Sequence, residues 1–138
     1  MTTNSNYHSL GLLLLRIIGG LMMVYNHGWS KITADPEKWN RLGHALTDII
    51  GLEFLSTFFG FMAAFSESVC ALLIIIGLFT RPASILLLFT MFVASLNHIM
   101  DSEMPELVIM YCLSSLVLIL SGPGKFSLDQ KLFSKLNN

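Results

Sequence analysis

Charge is what this sequence has least of. Asp, Glu, Lys and Arg make up 12% of its 138 residues, against about 25% in an ordinary soluble domain. A soluble fold of this length could not hide the 54% of residues that are hydrophobic, because small domains leave a large share of their atoms at the surface. The missing solvent is hydrocarbon. A net charge of −1 gives no basic field for nucleic acid. Cysteine is nearly absent: Cys70 and Cys112 both fall in apolar segments and form no CxxC pair, which excludes a disulfide framework. Helix rise sets them more than ~10 Å apart in depth. No HxxxH or CxxC spacing demands a metal or haem, and the eight Met residues are scattered as packing filler. No Lys or Arg precedes Arg16, and the first apolar run ends in Tyr25-Asn26-His27-Gly28-Trp29. That is not the basic start and small-residue cleavage site of a signal peptide, so the run reads as a retained span.

What is present is four apolar runs, at residues 9–27, 52–79, 83–99 and 105–120, each near the ~20 residues that cross ~30 Å of hydrocarbon. In lipid such runs must be helices. The second is longer than needed, and so tilts or begins as an interfacial stretch. Thr80-Arg81-Pro82 alone joins the second to the third, and residues 100–104 join the third to the fourth. Connections that short impose antiparallel neighbours. The fold expected is a single all-α membrane domain over residues 1–138, a four-transmembrane-helix bundle running up-down-up-down. Between spans one and two, Asp35-Pro36 reads as a helix start, and Trp39, Leu42, Leu46, Ile49 and Ile50 recur at helical spacing. This predicts an amphipathic helix in the interface, with Trp29 and Trp39 at headgroup depth. After Gly122-Pro123-Gly124, Ser127 and Gln130 suggest a capping box opening a short C-terminal amphipathic helix. Arg81, Lys125, Lys131 and Lys135 share the side of the termini, which the positive-inside rule makes cytoplasmic.

The polar residues inside these runs are the candidate site. Arg16 and Glu67 lie near the middle of spans one and two. A charge at that depth costs at least ~2.5 kcal/mol, so each should turn inward and find a partner. Their depths agree to about one helical turn, which predicts an Arg16–Glu67 ion pair. Arg16, Gly20, Met23 and His27 share one helix face, and Gly60, Ala63, Ala64, Glu67, Cys70 and Ala71 form a small-residue stripe. His27, Asn97, His98 and Glu106 cluster toward the opposite interface, with Tyr25 and Tyr111 nearby. Asn97 and His98 diverge by about 100° and cannot share one centre. The resulting picture is a polar cleft of Arg16, Tyr25, His27, Glu67, Asn97, His98 and Glu106. Each group has a plainer alternative: an ion pair that only locks the bundle, a Glu106 that only complements a helix start, histidines that are wetted helix ends.

Leu-Leu-Arg16-Ile, then His27-Gly28-Trp-Ser-Lys31, resembles the opening of the DoxX family of four-helix membrane proteins. Glu67 followed by Gly77-Leu78-Phe79-Thr80-Arg81-Pro82, and Glu106 followed by Gly122-Pro123-Gly124-Lys-Phe-Ser127-Leu128-Asp129, are similar to that family's middle and end. The resemblance covers nearly the whole chain. It implies a bacterial inner-membrane protein, of a family in which some members are linked to sulphur-compound oxidation with electrons passed to quinone, or to membrane oxidoreductase complexes.

Two functions are compatible with these features. One is a membrane subunit of a redox system, quinone- or thiol-linked, with the ligand's head in the polar cleft. Such a chain has no evident electron carrier of its own and needs a soluble or membrane oxidoreductase partner. The other is a non-enzymatic carrier or a scaffold that anchors partner proteins. Glycine-bearing helix faces also admit a homodimer.

Overall fold

The computed structural model describes residues 2–102 and 104–136, and every regular element among them is helical. Helix α1 runs Thr2–Met23, passes through one π-helical turn at Val24–Gly28 and ends at Trp29–Ile32. Helix α2 is Pro36–Ile50. Helix α3 opens with a 3-10 turn, Glu53–Leu55, and continues as Ser56–Phe65, a second π-helical turn Ser66–Cys70, and Ala71–Ile76. Helices α4, α5 and α6 are Thr80–Met100, Glu106–Ser121 and Leu128–Leu136. The stretches Asn6–Ile32, Glu53–Ile76 and Thr80–Met100 are long and apolar enough to cross a membrane, while Glu106–Ser121 is apolar but shorter, about 24 Å by helix rise.

The burial pattern is that of a chain turned toward lipid. On α1, Leu10, Leu14, Ile18 and Leu21 form a stripe that is about half exposed, while Leu12, Arg16 and Met23 are buried on the other face. Glu67 on α3 is 2% exposed. The charged faces are the packed faces, as expected where unpaired charge cannot be left in hydrocarbon.

Helix α2 starts on Asp35, whose carboxylate accepts the Lys38 N–H at 2.8 Å, and stops at Gly51 in the left-handed conformation. It pairs closely with the first half of α3. A Cβ on Gly43 would fall 1.7 Å from the Ser56 carbonyl oxygen, and one on Gly60 would fall 1.7 Å from that of Trp39. The two contacts are symmetric about the intervening turn, which is antiparallel register. The buried Thr47 and Ser56 hydroxyls, 2.9 Å apart, close the hairpin near its turn. Amphipathicity of α2 therefore serves protein contact along α3.

The turn between α3 and α4 lies at residues 77–79, with Gly77 and Phe79 both left-handed (φ 71° and 48°). Thr80-Arg81-Pro82, expected as the connection, instead forms the first turn of α4. That first turn is capped from far along the chain: the Asp129 carboxylate accepts the Phe79 and Thr80 N–H groups at 2.8 and 2.9 Å, and the Asp129 N–H donates to the Gly77 carbonyl at 2.8 Å. A remote acceptor supplies what a local cap residue would supply elsewhere. Asp129→Ala is expected to lower stability by about 2–3 kcal/mol, since bonds to a charged group are lost, and Asp129→Asn, which keeps one acceptor, by less. Melting of the purified variants in detergent checks this. Past that turn α3 and α4 run antiparallel: the Ser66 and Thr90 hydroxyls, at nearly equal distances in sequence from it, meet at 2.7 Å.

Candidate ligand-binding site

The two intramembrane charges do not pair with each other. Arg16 points toward the C-terminal loop, where its Nη1 donates to the Pro123 carbonyl and its Nη2 to that of Phe126 at 3.0 Å. Its guanidinium lies against Gly77, where a Cβ would come within 2.8 Å of Nη1. Gly77 caps the helix that carries Glu67, ten residues further along the chain, about 15 Å by helix rise, so the expected Arg16–Glu67 pair is replaced by two separate arrangements. Arg16 thus fastens α1 to the loop that caps α4.

Glu67 pairs instead with Lys31, whose Nζ lies 2.6 Å from both carboxylate oxygens. The local structure explains how a lysine beyond the first apolar run reaches this depth. Both helices carry a π-helical turn at the crossing, Val24–Gly28 on α1 and Ser66–Cys70 on α3, and such widened turns concentrate at functional sites. Gly28 sits directly on the Glu67 backbone: a Cβ there would fall 2.2 Å from the Glu67 carbonyl oxygen. The helix continues through this contact, so Lys31 arrives one turn later on the same side. The Lys31 carbonyl accepts the Trp39 indole N–H at 2.8 Å, and the Trp39 ring packs edge-on against Phe61. Carbonyls at the widened turn of α3 are served by hydroxyls, Ser68 donating to Ala64 at 2.6 Å and Ser66 to Ala63 at 3.1 Å. Because backbone cannot retreat as a side chain can, Gly28→Ala is expected to separate the two helices and cost about 1–3 kcal/mol. It should also loosen Lys31 from Glu67, which unfolding in detergent and the chemical shift of the Lys31 ammonium would both register.

The Lys31–Glu67 pair stands between two cavities. The larger, about 230 Å³, lies among α2, α3 and α4, with Leu42, Leu46, Phe58, Phe59, Phe89 and Val93 in its walls and the ion pair at one end. The smaller, about 100 Å³, lies on the other side of the pair and is lined by His27, Met91, His98, Leu107, Val108 and Tyr111. Ala94 borders both. The His27 and Tyr111 rings meet edge to face, 6.0 Å between centroids at 83°.

Of the seven residues expected to form one cleft, the structure brings together Glu67, His27 and His98. Arg16 is at the far end of the bundle. Tyr25 is 87% exposed on the outside of α1. Asn97 donates to the Ala45 and Val93 carbonyls at 2.7 and 2.9 Å, tying α4 to α2, and so does diverge from His98. Glu106 is exposed in the first turn of α5 and lines neither cavity. Lys31 is the functional residue that sequence reasoning missed. Its signal was present in the i, i+4 spacing from His27, which places both on one face if the helix does not stop at Gly28. Among the described residues, no three His, Cys, Asp or Glu are grouped to hold a metal ion.

An apolar cavity that ends on a cation and a carboxylate, with two imidazoles and a phenol in the second cavity beyond them, suits a ligand with a greasy body and a hydrogen-bonding head. Neither a curated protein nor a solved structure matches this chain. The sequence pattern that defines the DoxX family matches residues 11–98, a stretch holding both widened turns, Arg16, Lys31 and Glu67. The chain is a membrane protein of the DoxX family.

Proposed function

We propose that this protein is a four-span, up-down-up-down subunit of a quinone-linked redox system in a bacterial inner membrane, and that the two cavities flanking Lys31–Glu67 receive the quinone. The single observation that carries the reading is the junction itself, a buried ion pair with an apolar slot on one side and His27, His98 and Tyr111 on the other. A quinone head presents two carbonyl oxygens, and the Lys31 ammonium and Tyr111 hydroxyl are donors suited to them. The aromatic slot suits the first part of an isoprenoid tail. His27 and His98 line the smaller cavity and offer imidazole nitrogens that can give or accept a proton at the ligand's head, and Glu67 balances the lysine charge until the ligand engages it. Quinone, when bound, supplies the electron-carrying chemistry that the chain lacks, and a partner oxidoreductase supplies or removes the electrons. In this placement α2 and the start of α3 form a hairpin at the interface opposite the termini. Arg81, Lys125 and Lys131 lie on the cytoplasmic side.

Protein purified from native membranes in mild detergent is expected to carry co-extracted quinone near one per chain. Ala94→Leu, which fills the border of both cavities, is expected to lose it while melting at or above the wild-type temperature. Quinone-free wild-type protein whose melting does not respond to added quinone would refute the reading. Substrate flux in liposomes, or a partner that co-purifies without quinone, would favour a carrier or scaffold.

A further inference from the structure

A second cavity lies at the other end of the bundle and takes no part in the site above. It measures about 650 Å³, within the roughly 300–1,000 Å³ of small-molecule sites. It is formed where the start of α1, the start of α4 and the loop after α5 meet, with His8, Leu12, Phe79, Arg81, Lys125 and Asp129 in its walls. Its charge is unbalanced. Among the described residues Asp129 is its one carboxylate, and both oxygens are already committed to the Phe79 and Thr80 N–H groups. Arg81 is exposed at the rim and makes no hydrogen bond or ion pair among the described residues. Its guanidinium flanks Gly122, where a Cβ would come 3.4 Å from Nη2, and Gly122 has the positive φ of 76° that glycine tolerates. Among the described residues Lys125 reaches only the Asn6 side-chain oxygen, at a long 3.3 Å. Arg16, just below, turns its donors to the loop carbonyls and adds positive potential from behind. Phe79 and Pro82, both exposed, give the cavity an apolar flank, and Leu12 is buried in its wall.

We propose that this cavity binds the phosphate of an anionic phospholipid headgroup, held by Arg81 and Lys125 with the acyl chains leaving along the Phe79–Pro82 side. A planar guanidinium and an ammonium on one phosphate are charge-assisted contacts, and basic pockets at helix ends on the cytoplasmic side hold such headgroups. Ligand and position are both independent of the quinone reading.

The test is melting of the detergent-purified protein titrated at constant ionic strength with dioctanoyl phosphatidylglycerol, dioctanoyl phosphatidylcholine and inorganic phosphate. Phosphatidylglycerol should stabilise saturably and phosphatidylcholine should not. Arg81→Gln and Lys125→Gln should each weaken the apparent affinity about fivefold, the factor matching about 1 kcal/mol per basic residue at a lipid surface. Lys131→Gln, outside the cavity, should leave it unchanged. Equal stabilisation by inorganic phosphate would identify a soluble phosphate ester as the ligand and overturn the lipid assignment. The proposal also fails if the two lipids act alike, or if Lys131→Gln weakens binding as much as Arg81→Gln.

Discussion

Lys31→Met is expected to cost about 3–5 kcal/mol, because it strands the carboxylate of Glu67 where almost no water reaches. The loss does not measure the worth of the ion pair. It measures the cost of a buried charge without its partner, so the second substitution should reverse it: Lys31→Met with Glu67→Gln is expected to recover most of the stability, since a neutral pair of similar volume avoids both desolvation costs. The two single variants and the double variant form a cycle in which the coupling is large and favourable. Melting of all four proteins in one detergent gives it. A Lys31→Met protein as stable as wild type would mean that Glu67 is satisfied by another group. The double variant is the useful reagent for function, because it keeps the helix crossing at Gly28 and removes only the charges.

Arg16→Leu is expected to be as damaging for a different reason. It leaves the Pro123 and Phe126 carbonyls without donors, each at about 1–3 kcal/mol, and unfastens the loop from α1. Asp129, which caps α4, comes from the same loop, so the start of α4 should loosen with it and exchange its amide hydrogens faster. Arg16 and Glu67 share no partner, so their effects should add within about 0.5 kcal/mol. Reversing both charges, Arg16→Glu with Glu67→Arg, should restore nothing. Recovery of stable protein by that reversal would reinstate a direct pair and contradict the arrangement seen here.

Much of this was legible in the residues, and what was not has identifiable physical causes. Helical periodicity was sufficient to say that Arg16 and Glu67 face inward, because burial follows from the face a side chain occupies and from the cost of leaving charge in lipid. It was not sufficient to say what they meet. The partners of Arg16 are backbone carbonyls of a loop more than a hundred residues away, and carbonyls carry no sequence signal. Lys31 falls outside the first apolar run because Tyr25-Asn26-His27-Gly28 reads as the end of that run. The helix instead continues through a widened turn that the composition does not announce, and Gly28 is there for close approach rather than for termination. The turn lies at 77–79, three residues before the connection the sequence suggests, for a similar reason. Thr80-Arg81-Pro82 is polar enough to look like a loop, but proline is tolerated in a first helical turn, and Phe79 adopts a left-handed conformation that few would assign to an aromatic residue. Asn97 and Glu106 were drawn into the cleft by depth alone, and depth does not specify azimuth. Asn97 and His98, adjacent in sequence, serve different contacts on different sides of α4.

The role of the Lys31–Glu67 junction is tested most directly by titrating a short-tailed quinone against wild-type protein and against the Lys31→Met, Glu67→Gln double variant, with both confirmed to melt alike. Loss of a charge-assisted anchor predicts a fall in affinity of tenfold or more, given about 1.5–3 kcal/mol for a hydrogen bond to a charged group. Equal affinity in the two proteins would show that the ion pair is a bundle lock with no part in holding a ligand.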